Sequence, residues 1–250
     1  MGVHVFVVDS LDDAVPGSDV QLTGAEGHHA ASVLRLRAGE AVEVVDGRGR
    51  RIRGVVEDTR KDSVTIAVGT VTDEERPQPR VVVVQAVAKG DRGERAVELM
   101  TEVGVDAIVP WQAEHAVSRW RDDKAERGAD KWRAVARAAA KQSRRAYLPE
   151  IHDLASTADL ASVVQEADMS LVLDETATLP IAACMLPVAG TVVLVVGPEG
   201  GISVRERETF ASWGATFVRL GPTVLRTSTA GSVAAAVVMS GSGRWSQQAP

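Results

Sequence analysis

The sequence predicts an α/β protein in two parts: a small barrel of antiparallel strands, then a larger domain built on a parallel sheet. Three observations carry this reading. Residues 1 to 72 hold only short β-type runs between turns. Residues 73 to 80, DEERPQPR, are polar and charged and carry two prolines. From Val81 onward, short apolar runs alternate with helical patterns, and strands that alternate with helices form parallel sheets covered on both faces.

In the first part the strand candidates are HVFVV, AVEVVD, RIRGVVEDT and SVTIAVGTV, punctuated by Gly39, Asp46-Gly47 and Asp62-Ser63. One helix interrupts them, starting near Glu26 and carrying Ala30, Val33 and Leu34. DEERPQPR, residues 73–80, then reads as a linker. In the second part, residues 81–244, the strands are VVVVQAVA, DAIVPW, MSLVLD, TVVLVVG and ATFVRLG, separated by helices such as RGERAVELMTEVG and ADKWRAVARAAAKQ. The tail, residues 245–250, is expected to fray.

Bulk composition narrows the function classes. At 250 residues, 45% apolar and 25% charged, the chain has the profile of a soluble globular protein. No run approaches the roughly 18 apolar residues that span a bilayer. The N-terminus, MGVHVFVVDSLDD, turns acidic too soon for a signal peptide, so the cytoplasm is the expected compartment. The single cysteine, Cys184, excludes an internal disulfide and a cysteine metal cluster and reads as a small buried hydrophobe. His28-His29 lacks the carboxylate–histidine company of a metal site, so no metal is expected and a structural or RNA-contact role is favoured. The tryptophans have no period and read as packing residues.

The net charge of −6 argues against a nucleic-acid partner only on average. KWRAVARAAAKQSRR, from Lys131 to Arg145, holds six basic residues and no acidic one, and RGRRIR, from Arg48 to Arg53, holds four more. Local fields decide what a surface attracts. Arg133, Arg137, Lys141 and Arg144 recur at helical spacing, with Arg145 adjoining, and an unbroken cationic face suits phosphate. Arg48, Arg50, Arg51 and Arg53 extend the candidate RNA-binding set, and Arg35 joins them.

The most informative stretch is TVVLVVGPEGGISVRERETF, Thr191 to Phe210. A buried strand runs into Gly-Pro-Glu-Gly-Gly, and Ser203 with Glu206 forms a Ser-x-x-Glu capping box, so Val204–Trp213 should be helical and stop at Gly214. The loop lies at the carboxyl edge of the sheet, where ligands bind in open α/β folds. It is neither a Walker phosphate loop nor a dinucleotide fingerprint, which disfavours a nicotinamide dehydrogenase. A carboxylate among glycines suits a neutral or cationic ligand; by itself the loop could also be a plain tight turn. The next strand ends at Gly221 and opens into PTVLRTSTAGSVAAAVVMS, whose helix, roughly Ala230 to Met239, is apolar on every side and must be buried in a core or against a partner.

GPEGGIS with LGPTVLRTST, beginning at Leu220, resembles the paired signature of the bacterial 16S ribosomal RNA (uracil-N3)-methyltransferases, of the SPOUT superfamily. GHHAASVLRLRAGEAVEVVDGRG (27–49) is similar to that family's PUA-like RNA-binding barrel, and TEVGVDAIVPW (101–111) and AAKQSRRAYLPEI (139–151) to its central segments. The chain departs from the family at Ser228, where a glutamate is usual, and at Ala113-Glu114-His115, where a Ser-Glu-Arg segment is common; no role is assigned to Ser228 or His115. The resemblance implies a PUA-like β-barrel followed by a SPOUT domain, 81–244, with a C-terminal trefoil knot, which composition would never suggest.

The resemblance also implies methyl transfer from S-adenosylmethionine to N3 of a uridine in 16S ribosomal RNA near the decoding centre. Gly197, Pro198, Gly200 and Gly201 of the first loop would bind the cofactor, together with Gly221 and Thr227 of the second. Leu173, Leu220 and Leu225 would wall it. Uracil N3 must lose its proton, by a general base or with a cation on the developing oxyanion. Arg226 is the candidate for the cation, its alternative being a bond to loop carbonyls, and Glu199 is a weaker candidate for the base. Partners implied are 16S RNA or the small ribosomal subunit, and a second copy of the chain held through the C-terminal helix, where Gly231, Ala234 and Ala235 permit close approach. The rivals are a non-catalytic RNA-binding or ribosome-assembly factor and a knotted methyltransferase acting on transfer RNA.

Overall fold

The computed structural model describes residues 3–246. The chain divides into two compact units: one runs up to Arg76 and also takes in Ala140–Leu148; the other comprises Pro77–Ala139 and the chain from Pro149.

The first unit is a five-stranded sheet. Its strands are β1 (His4–Val7), β2 (Asp19–Leu22), β3 (Ala41–Val45), β4 (Arg50–Arg60) and β5 (Ser63–Asp73), in the order β1-β3-β4-β5-β2. β1 runs parallel to β3 and the other pairs are antiparallel, so the sheet is mixed where antiparallel pairing throughout was expected. Period-two burial places Val64, Ile66 and Val68 of β5 against Phe6, Leu22, Val44 and Ile52. The expected helix is α1 (Gly24–His28) continued by a π-helical turn, His29–Val33. His28 Nδ1 lies 2.8 Å from Asp62 Oδ1, and His29 meets the Phe6 ring edge-on. Among the described residues no cluster is arranged to hold a metal ion.

Residues 140–148 belong to this unit through contacts that no local pattern announces. Arg48 bridges Tyr147, Leu148 N–H donates to Gly47 at 3.0 Å, and the Tyr147 hydroxyl donates to the Glu74 carbonyl at 2.7 Å. Gly49 is required there, since a Cβ would stand 2.3 Å from the Tyr147 ring.

The second unit is a wholly parallel six-stranded sheet. In chain order its elements are β6 (Arg80–Ala86), α2 (Arg92–Val103), β7 (Ala107–Trp111), α3 (Asp123–Gln142, whose last turn belongs to the first unit), β8 (Glu150–Ile151) and α4 (Ala161–Gln165). There follow β9 (Met169–Leu173), β10 (Thr191–Val196), α5 (Val204–Ser212), β11 (Thr216–Val218) and α6 (Thr227–Gly241). The strand order is β11-β9-β10-β6-β7-β8. β6 and β10 are apolar on both faces because both faces are covered. Val81, Val83, Val192 and Leu194 join the core under α2 and α6, while Val82, Val84, Val193 and Val195 join the core with Phe210 of α5.

α6 extends beyond the expected Ala230–Met239 and packs on α2 of the same chain. A Cβ at Gly231 would lie 2.7 Å from Met100 Sδ, and Ala234, Ala235 and Val238 are fully buried. The small residues expected to serve a partner chain therefore serve this helix pair. α6 is not buried all round within its own chain, since the apolar Val233, Ala236 and Val237 are only half-buried. After it, Arg244–Ser246 form a 3-10 turn where fraying was expected to begin at 245; residues 247–250 of that tail lie outside the described residues. Arg244 is buried, ion-paired with Asp106, and donates to the carbonyls of Pro79 and Gly104 at 2.8 Å each. Among the described residues no helix is long and apolar enough to cross a membrane. Cys184 is half-buried against the α2–α6 core.

Candidate active site

Two strand-end loops build the site. β10 ends at Val196, and Gly197–Ile202 lead into α5, whose capping box forms as the spacing requires: Ser203 Oγ accepts from Glu206 N–H and Glu206 accepts from Ser203 N–H. Most of the loop's glycines are explained by the chain itself. A Cβ at Gly197 would press on Ile202 Cγ1 at 2.8 Å, one at Gly200 would stand 3.0 Å from the His115 carbonyl oxygen, and Gly201 has φ +73°. Gly221 differs: its φ is not positive, and an added Cβ would meet nothing within 4 Å.

The second loop runs from β11 through Leu220–Leu225 to α6, with Arg226 as N-cap residue. The two loops are tied directly. Thr227 Oγ1 donates to the Gly197 carbonyl at 2.8 Å and accepts from Gln85 Nε2 at 3.0 Å, both Gln85 and Thr227 being buried. Between the loops lies a cavity of about 770 Å³. Every residue expected to bind the cofactor lines it: Leu173 from β9, Gly197, Pro198, Gly200 and Gly201 from the first loop, and Leu220, Gly221, Leu225 and Thr227 from the second. Glu199 and Arg226 line it too.

Their electrostatics differ. The exposed Arg226 guanidinium makes no hydrogen bond or ion pair among the described residues, so the alternative of a bond to loop carbonyls is not realised. Glu199 Oε1 accepts from Lys89 N–H at 3.3 Å and from Arg92 Nη1 at 3.0 Å. Partial burial alone would raise this carboxyl, but backbone N–H groups of Glu199 and Lys89 and the Arg92 guanidinium outweigh it and hold the group below the usual carboxylate range. A carboxylate kept ionised in this way is a weaker base than a free one, which weighs against Glu199 as the proton acceptor.

Other cavity residues escaped the sequence reading. Arg92 opens α2, Asp174 follows β9, and Arg207 of α5 pairs with Asp174 while lying 5.0 Å above the Phe217 ring. They reach the cavity only through tertiary folding. Gln85 did carry a signal, as the one polar residue in VVVVQAVA; a buried amide needs partners.

The residues expected to bind RNA are scattered and largely neutralised. In the first unit Arg51 is half-buried between Glu43 and Glu74, Arg53 also pairs with Glu43, Arg50 with Asp73, and Arg48 with Asp12 and Asp46. Lys141 pairs with Glu26 at 2.7 Å, and Arg144 is exposed with φ +57°. In the second unit Arg133 pairs with Asp130 and Asp153, and Lys131 with Glu94. Arg137 and Arg145 are half-buried and engaged. The run that looked unbroken in sequence thus meets carboxylates supplied by other segments. Arg35, like Arg144, is exposed and has no ion-pair partner among the described residues.

Comparison with known proteins places this geometry. Residues 74–239 match the model of an RNA methyltransferase domain, and residues 22–69 that of an RNA methyltransferase PUA domain. The chain is 43% identical to the ribosomal RNA small subunit methyltransferase E of Mycobacterium bovis over 100% of its own length and 96% of that protein. It is 30% identical to the protein of that name from Bacillus subtilis, over 84% of this chain and 85% of the other. Among solved structures, a methyltransferase of Legionella pneumophila in complex with bound S-adenosylmethionine superposes with a TM-score of 0.82 at 25% identity, covering 96% and 98% of the two chains.

Proposed function

The chain belongs to the ribosomal RNA small subunit methyltransferase E family of RNA methyltransferases, and from that premise we propose that it methylates N3 of one uridine of 16S ribosomal RNA near the decoding centre, in the cytoplasm, with S-adenosylmethionine as donor. The observation that carries this reading is the cavity between two loops joined by Thr227. About 770 Å³ lies within the roughly 300–1,000 Å³ of small-molecule sites, and the open space at Gly221 lets a ligand lie against backbone. Gly197, Pro198, Gly200, Gly201, Gly221 and Thr227 would hold the cofactor, with Leu173, Leu220 and Leu225 as apolar walls. S-adenosylmethionine, when bound, supplies a methyl group made electrophilic by the adjoining sulfonium.

Arg226 is the residue placed to act on the uracil. Its unpaired guanidinium can donate to the oxygen on which charge develops as N3 loses its proton. Glu199, fixed as a carboxylate, instead holds Arg92 at the cavity and keeps negative charge on the rim near a cationic ligand. For the RNA backbone the structure favours Arg35 over the paired arginines. Arg37 and Lys61 are likewise exposed with no ion pair among the described residues, and Ser32 Oγ donates to the Lys61 carbonyl at 3.0 Å, joining the two segments. Family membership also supports a trefoil knot in the C-terminal segment and a homodimer.

The decisive experiment is mass mapping of 16S RNA from cells lacking the protein, complemented with wild type or Arg226→Ala. A single uridine should lose its methyl group and regain it with wild type. In vitro, Arg226→Ala should lower kcat by about 100-fold or more at unchanged cofactor affinity, the usual cost of one oxyanion donor. Methylation that persists without the protein would overturn the reading.

A further inference from the structure

We propose that Gln85 is a positioning residue of the active site, setting the spacing of the two cavity loops through the Thr227 hydroxyl. Hydrogen-bond accounting fixes its role. The Gly197 carbonyl can only accept, so the one hydroxyl proton of Thr227 points to it, at 2.8 Å. The lone pair of that hydroxyl then requires a donor, and Gln85 Nε2 stands 3.0 Å away. Longer contacts from the same nitrogen reach the Ala86 and Thr227 carbonyls, at 3.2 and 3.4 Å.

The arrangement leaves Gln85 Oε1 buried with no hydrogen-bond partner among the described residues. Exchanging the amide oxygen and nitrogen would not repair this, because the oxygen would then face Thr227 and turn its proton away from Gly197. A buried unpaired acceptor is destabilising; an apolar side chain of similar shape would remove it but would also take the donor from the Thr227 hydroxyl, two effects of opposite sign. The fold thus keeps an amide whose net contribution to stability is small, because its bond to Thr227 is offset by its own unpaired oxygen, at the carboxyl end of central strand β6. What the amide supplies in return is a fixed hydroxyl proton between two loops that both line the cavity. Gly231 makes the room: a Cβ there would lie 3.3 Å from Gln85 Oε1.

This inference rests on the reading of the cavity as the S-adenosylmethionine site, and the test separates the two. Calorimetry on the full-length protein measures cofactor affinity, and thermal unfolding measures stability, for wild type, Gln85→Met, Thr227→Val, Thr227→Ser and the double variant Gln85→Met/Thr227→Val. Gln85→Met should change Tm little while weakening cofactor binding about five- to tenfold, the ratio one net hydrogen bond represents. Thr227→Ser should bind as wild type, and the double variant no worse than Thr227→Val alone. Wild-type affinity in Gln85→Met, a Tm that falls together with affinity, or losses that multiply in the double variant would each overturn the proposal. A wild type that binds no cofactor would overturn the reading of the cavity itself.

Discussion

Gly200 and Gly221 look equivalent in the two loops, yet substitution should separate them. Gly221→Val adds a side chain where the chain itself leaves open space, so cofactor binding should vanish while Tm changes little. Gly200→Val must also displace the His115 carbonyl, so it should lose stability as well as binding. Calorimetry and thermal melts on both variants check this. His29 offers a pH prediction. Burial, then the charge of Lys141, lowers its pKa below the ordinary imidazole value. The unfolded chain therefore binds the proton more readily, and stability falls as pH drops through about 6.5 towards the folded value. Urea midpoints of His29→Gln between pH 7 and 5 should be flatter than those of wild type. The cavity residues were legible because each loop is contiguous and announced by a strand, a capping box or a glycine. Arg92 and Asp174 were not, because only folding brings them beside those loops, while Gln85 showed only as the lone polar residue of an apolar strand.

The same division holds for elements. β6, β9 and β10 were plain, since a parallel strand buried on both faces reads as an unbroken apolar run. β2 and β8, of four and two residues, carry no such run and were missed. The π-helical turn at His29–Val33 left no signature that distinguishes it from an ordinary helix. α3 was correctly helical, but its charge was misjudged because the pairing carboxylates of Asp153, Glu94 and Glu26 lie on other segments. Arg35, Arg37 and Lys61 of the first unit are exposed and make no ion pair among the described residues, and Ser32 joins their two segments. Replacing these three with alanine should weaken RNA binding and reduce the log–log salt slope by roughly 0.7 to 0.9 for each phosphate that is no longer neutralised. Arg133→Ala should leave the slope unchanged, as should any exchange within a neutralised pair; binding measured across a salt series decides.

For the whole molecule the open matter is assembly. α6 buries Val238 completely against its own chain but leaves Val237 only half covered, on a face shared with Val233. Val237→Glu should convert a homodimer to monomers with the fold intact, whereas Val238→Glu should unfold the second unit, since an unpaired charge cannot be buried there. Light scattering with circular dichroism distinguishes the two. A wild type that is monomeric and fully active would remove the dimer from the account.

The buried Arg244–Asp106 pair has a consequence for how the chain is made. Its partners are 138 residues apart, and Asp106 also accepts from the Val81 amide at the start of β6. During synthesis that carboxylate exists long before its arginine does, and a lone carboxylate stays in water. The start of the central strand therefore stays unlatched on the nascent chain until residue 244 has been made and has reached Asp106.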